Sequence, residues 1–125
     1  MYRIPFNRPD ISSLEENYVL QALRSSKICG DGEFTKRVHS WVENHFGIPH
    51  CLLTTSCTHA LEMAARLIDL HPGDEVILPS FTFVSTANPV LLCGAKPVFA
   101  DISPETLNIS PDEIARKLTP RTRAI

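Results

Sequence analysis

The segment Thr54-Thr55-Ser56-Cys57-Thr58-His59-Ala60-Leu61 joins an apolar run, Cys51-Leu52-Leu53, to a helix-patterned run from Ala60 to Leu70. Where a strand turns through small hydroxyl residues into a helix, three kinds of donor converge. They are unpaired backbone N–H groups, the positive end of the helix dipole, and Ser or Thr hydroxyls. The chemistry this favours is anion binding. The N–H groups of Cys57, Thr58 and His59 can face one oxyanion, with the Thr58 hydroxyl as a further donor. The dipole adds about 0.3–2 kcal/mol, depending on burial. The competing reading is that Ser56 or Thr58 only caps the helix. Taken alone, these residues weigh the two equally, and a His59 imidazole at a helix start can equally be solvated.

Other reactive types are less telling. Phe81 and Phe83 follow a short apolar strand, and a lone Phe in that position is more often core than ligand contact. Cys29-Gly30-Asp31-Gly32 interrupts two helical patterns; its glycines permit backbone shapes closed to other residues, and an ordinary interhelical turn explains it nearly as well. His50, Cys51, Cys57 and His59 match no common zinc spacing, and no C-x-x-C occurs among the four cysteines, so no metal site is expected. No G-x-G-x-x-G follows any strand, which disfavours a nicotinamide cofactor.

The elements that must position these residues can be read from period and punctuation. Residues 1–10 look like an extended arm. Ser12 with Glu15, and Ser13 with Glu16, form two overlapping capping-box patterns ahead of a helix to about Arg24. Phe34, Val38, Trp41, Val42 and Phe46 mark one face of a second helix that Gly47 ends. Beyond it the chain alternates: a strand near 50–54, a helix over 58–70, a buried strand over 75–78 closed by Pro79, and a helix over 84–93 stopped by Gly94. A strand over 96–101 follows, with Pro97 suiting an edge. A helix from Ser110-Pro111-Asp112-Glu113 to about Leu118 comes next, then a last strand beginning at Arg123.

Such alternation predicts an α/β fold with a mostly parallel sheet and flanking helices. Ligands in these sheets collect beyond the carboxyl ends of the strands. The Ser56 turn, Ser80-Phe81-Thr82-Phe83 and Asp101 all follow strands, so one edge should gather them. The division expected is an arm and helix over 1–30 and a cofactor-binding region over 31–125. Because Arg123-Ala124-Ile125 reads as a strand just entering a sheet, that region is expected to be incomplete, cut mid-strand.

The 125 residues are 43% hydrophobic and 21% charged, as in a globular domain, and the net charge of −2 provides no basic field for nucleic acid. No apolar run approaches membrane-spanning length and the amino terminus has no signal-peptide pattern, so the expected compartment is the cytoplasm.

Taken together, five ordered blocks resemble the amino-terminal third of the sugar aminotransferases that use pyridoxal 5′-phosphate, the DegT/DnrJ/EryC1/StrS type. The blocks are Gly30-Asp31-Gly32-Glu33-Phe34-Thr35, Thr54 to Leu61, Pro72-Gly73-Asp74-Glu75-Val76-Ile77, Pro79 to Asn88, and Gly94-Ala95 with Pro97-Val98-Phe99-Ala100-Asp101-Ile102; Thr106-Leu107-Asn108-Ile109 also fits. The resemblance implies the large domain of a fold-type I aminotransferase. Lys27-Ile28-Cys29-Gly30-Asp31-Gly32 and Cys57-Thr58-His59-Ala60-Leu61-Glu62-Met63 are most similar to the subgroup that aminates C4 of dTDP-4-dehydro-6-deoxy-D-glucose for enterobacterial common antigen and related surface polysaccharides.

The resemblance also assigns roles. It tips Ser56, Cys57, Thr58 and His59 toward the cofactor phosphate and makes Phe83 the residue that stacks on the pyridine ring. Gly30, Asp31 and Gly32 fall near the sugar at the mouth of the site, with Thr86 and Asn88 lining the same region. It further implies a nucleotide-sugar substrate, glutamate as donor and a homodimer. The family's Schiff-base lysine and pyridinium-partner carboxylate lie in blocks that these residues do not contain. Lys27, Lys36, Lys96 and Lys117 stand in no such motif, and Asp101 is not the pyridinium partner, so no catalytic residue is assigned and the chain alone is expected to be inactive and to bind the cofactor weakly. Two alternatives remain: a dehydratase of the same fold, with His in place of the lysine, and a non-catalytic remnant acting as an interaction module.

Overall fold

The computed structural model describes residues 4–125. Two compact units form, one reaching Leu53 and one spanning Thr54–Ile125. No helix among the described residues is long and apolar enough to cross a membrane.

In the first unit, α1 covers Ser13–Arg24 and α2 covers Glu33–Phe46. Of the two possible capping boxes, Ser12 with Glu15 forms: Leu14 N–H donates to Ser12 Oγ at 3.2 Å, and Ser12 N–H donates to Glu15 Oε2 at 2.7 Å. Gly47, at φ 64°, ends α2 in the left-handed conformation, where a side chain is disfavoured. Tyr18 of α1 meets Phe34 of α2 at 5.3 Å between ring centroids, and the Arg37 guanidinium lies over both rings.

The strand expected over 50–54 does not form; those residues lie outside any ladder. Their N–H groups are claimed by side chains of α2 instead. Cys51 N–H donates to Glu43 Oε1 at 2.9 Å, and Leu53 N–H donates to His39 Nε2 at 2.8 Å. Apolar content and brevity suggested a strand, but the bonds that satisfy a backbone decide the element.

The second unit contains α3 (Cys57–Leu67), β1 (Glu75–Pro79), a 3₁₀ turn (Val84–Thr86), α4 (Asn88–Leu92), β2 (Lys96–Ala100), α5 (Pro111–Lys117) and β3 (Thr122–Ala124). The sheet order is β2-β1-β3, all parallel. Central β1 is buried from Glu75 to Leu78, and Ile77 is fully buried. Leu78 and Val76 pack with Ala65 and Leu70 from the α3 region and with Val90 of α4. Pro97 sits on edge strand β2, where its missing N–H costs no ladder bond.

Two helices are shorter than their patterns. α3 ends at Leu67 because Asp69 turns left-handed at φ 58°. The helix expected over 84–93 splits into the 3₁₀ turn and α4: Pro89 supplies no N–H, and its ring opposes a continuous helix through Ser85.

Candidate anion site at the start of α3

Ser56 is the N-cap of α3, with extended backbone, and its Oγ accepts from His59 N–H at 3.2 Å. The capping geometry is therefore present. It engages the N–H of His59, while those of Cys57 and Thr58, in the first turn, have no intrahelical acceptor. No acidic residue lies in that first turn to repel an anion. Ser56, Cys57 and His59 are exposed and Thr58 is half-buried.

Hydroxyl bonds shape the turn. Thr54 Oγ1 donates to the Ser56 carbonyl at 2.8 Å. The Thr55 hydroxyl and His59 Nδ1 lie 2.6 Å apart, so the imidazole is fixed on one side rather than merely solvated. Thr58 Oγ1 donates to Ser85 Oγ at 2.9 Å. Ser85 is buried in the 3₁₀ turn that follows β1.

Phe83 precedes that turn, and its carbonyl accepts from Thr86 N–H at 3.0 Å. Phe83 is 74% exposed. Phe81, expected in the core, is exposed as well: past Pro79 the chain has left the sheet, and no described element covers the loop. Pro79 pairs with Ala100, so the residues after each strand, Ser80 to Phe83 and Asp101, emerge at the same carboxyl edge. The bond between Thr58 and Ser85 ties the Ser56 turn to them. Of the three segments expected at that edge, the 80–83 loop and Asp101 follow paired strands, whereas the Ser56 turn follows no strand and is joined to the loop by the Thr58–Ser85 bond.

Gly30, Asp31 and Gly32 belong to the first unit. The left-handed residue there is Asp31, at φ 55°, and not a glycine. Gly32 caps α2 at φ −69°, and a Cβ on Gly30 would meet nothing within 4 Å. Gly32 borders a cleft of about 480 Å³ together with Lys27, Cys29, Phe34 and Arg37.

Sequence reasoning did not single out Ser85. Its signal was the hydroxyl-rich stretch from Ser80 to Thr86, but a buried Ser there looks like any other until its partner, 27 positions away, is known.

The chain matches the DegT/DnrJ/EryC1/StrS aminotransferase family over residues 9–125, and it belongs to that family. It is 35% identical over 123 residues to GDP-perosamine synthase of Caulobacter vibrioides, covering 98% of this chain and 33% of that enzyme. It is 36% identical over 124 residues to dTDP-4-dehydro-2,3,6-trideoxy-D-glucose 4-aminotransferase of Saccharopolyspora spinosa, covering 98% of this chain and 32% of that one. Among solved structures, the Streptococcus pneumoniae protein Spr1654 superposes in both its PLP-form and its PMP-form with TM-score 0.85 at 32% identity. The match covers 97% of this chain and about a third of that one. The chain thus spans about a third of the length of the curated relatives it matches. The fold is the α/β arrangement of these aminotransferases, and pyridoxal phosphate is the cofactor found in such relatives.

The residues present fit that cofactor's phosphate arm. An 11-residue helix opens on two unclaimed N–H groups with no acidic residue in its first turn, and an exposed aromatic residue stands at the turn linked to it.

Proposed function

We propose that these residues form the phosphate- and ring-binding part of a sugar aminotransferase. The enzyme transfers an amino group from glutamate to C4 of a dTDP-4-keto-6-deoxy sugar, in the cytoplasm, for surface polysaccharides such as enterobacterial common antigen. The observation that carries the reading is the Ser56 turn joined to the Phe83 loop through Thr58 and Ser85.

The N–H groups of Cys57 and Thr58 hold the phosphate at the positive end of α3, where an anion is favoured. Ser56 shapes the turn, and His59, braced by Thr55, flanks it. Phe83 covers one face of the ring and excludes water from it. Pyridoxal phosphate supplies an electron sink for the carbon that carries the migrating nitrogen. Gly30, Asp31 and Gly32 meet the sugar nucleotide, and a second copy of the enzyme completes a homodimer.

Within the proposal, residues 1–30 are an arm and helix, and 31–125 are part of the cofactor-binding domain. The 125 residues on their own do not turn over. Of the four lysines, Lys96 is paired with Glu75 at 3.4 Å where β2 begins, the opposite end of the strands from the Phe83 loop; Lys117 lies in the last turn of α5; and Lys27 and Lys36 lie in the first unit.

Reconstitution tests the assignment. Residues 9–125 replace the matching third of the Saccharopolyspora enzyme, and the chimera is assayed with glutamate and dTDP-4-keto-6-deoxyglucose. Amino-sugar product is expected. A chimera that folds and binds pyridoxal phosphate yet forms none contradicts the substrate assignment.

A further inference from the structure

The long-range side-chain hydrogen bonds of the second unit fall at two places among the described residues. One set converges on Glu75, where β1 begins. The other is the single bond from Thr58 Oγ1 to Ser85 Oγ, 2.9 Å long. It joins the first turn of α3 to the 3₁₀ turn whose amino end is Phe83. Locally, the Phe83 loop is secured by the Thr82–Thr86 hydroxyl pair at 2.9 Å and by the Thr86 N–H bond to the Phe83 carbonyl. Both of these bonds lie within the loop, and neither fixes its distance from α3.

A ligand with an anionic arm at one end and a flat ring at the other needs both contacts at a set separation. We infer that Ser85 is a positioning residue: through Thr58, its buried hydroxyl sets the spacing between the phosphate turn and the Phe83 ring. The inference rests on the cofactor reading above. Ser85 does not touch the ligand in this role. Its Oγ accepts the Thr58 hydroxyl hydrogen, which leaves the backbone N–H groups of Cys57 and Thr58 as the anion donors.

Two probes separate positioning from general support. Inorganic phosphate needs only the turn. Pyridoxamine 5′-phosphate needs the turn and the ring together, and it has no aldehyde to react with surface lysines. Binding of each to the chain is measured by titration for the native protein, Ser85→Ala, Thr58→Val, the double variant and Ser85→Thr. Positioning predicts that Ser85→Ala weakens pyridoxamine phosphate about three- to tenfold, as the loss of one neutral hydrogen bond would, and leaves phosphate within about twofold, since the donors it needs are intact. The double variant should be no weaker than Thr58→Val, and Ser85→Thr, which keeps the hydroxyl, should restore binding. Equal weakening of both probes, or of neither, overturns the inference and leaves the phosphate site standing. A native chain that binds neither probe overturns the site reading and this inference with it.

Discussion

Glu75 and Arg121 hold each other twice: the Arg121 guanidinium donates to Glu75 Oε1 at 2.9 Å, and Glu75 N–H donates to the Arg121 carbonyl at 2.9 Å. Thr119 Oγ1 donates to Glu75 Oε2 at 2.7 Å, and Lys96 lies 3.4 Å from Oε1. One buried carboxylate thus pins β2 on one side and the entry to β3 on the other.

An acid limb in stability follows. The Thr119 hydroxyl and the Arg121 guanidinium, with help from Lys96, hold the Glu75 carboxyl at about 2 against an ordinary 4.5, although burial pushes it the other way. Hydrogen bonds from Ser12 and Ser103 also lower Glu15 and Glu105. A carboxyl lowered by folding contributes fully above its unfolded value and ceases to do so as pH falls through its folded value. Thermal melts should show stability declining from about pH 4.5 toward about pH 2. Glu75→Gln should lower the melting temperature at neutral pH and flatten that decline. Parallel curves for the two proteins would count against the clamp.

Burial separates the fold from the site. Ile77 is fully buried, so Ile77→Ala should cost about 2–5 kcal/mol in denaturant unfolding. Phe83 is exposed, so Phe83→Ala should change stability by about 0.5 kcal/mol or less while weakening pyridoxamine phosphate binding. A large stability loss at Phe83 would make it a core residue after all.

Gly94 combines φ 73° with a would-be Cβ only 3.0 Å from Pro72 Cγ. Gly94→Ala should destabilise by about 1–2 kcal/mol from the backbone alone. Gly30→Ala, with open space around it, should leave the fold unchanged. Comparable unfolding midpoints for the two variants would remove the distinction.

Among the described residues, what could be read from the sequence was what local chemistry dictates. The cap at Ser12, the stop at Gly47, the edge position of Pro97 and the Ser110 cap of α5 all stand in the structure. The Ser56 cap was legible for the same reason, since a small hydroxyl residue ahead of a helix-patterned run is a favoured N-cap. The misreadings were long-range. His39 and Glu43, on α2, lie 14 and 8 positions from the backbone groups they claim at Leu53 and Cys51, and no apolar pattern reports such bonds. The sheet order, the exposure of Phe81 and the Thr58–Ser85 pair likewise depend on which elements meet.

The segment before the turn gives its own test. His39→Ala removes the acceptor of Leu53 N–H, so exchange of the Leu53 amide with deuterium should quicken about three- to tenfold, as loss of one hydrogen bond implies. Unchanged exchange at Leu53 would mean that the bond does not hold that segment.

The proposed phosphate role of the Ser56 turn is tested most directly by titrating the ¹⁵N-labelled chain with pyridoxamine 5′-phosphate and following every backbone amide. Saturable shifts are expected, largest at Cys57 and Thr58, with the Phe83 ring resonances moving in step. Saturable shifts centred elsewhere, with Cys57 and Thr58 unmoved, would contradict that role.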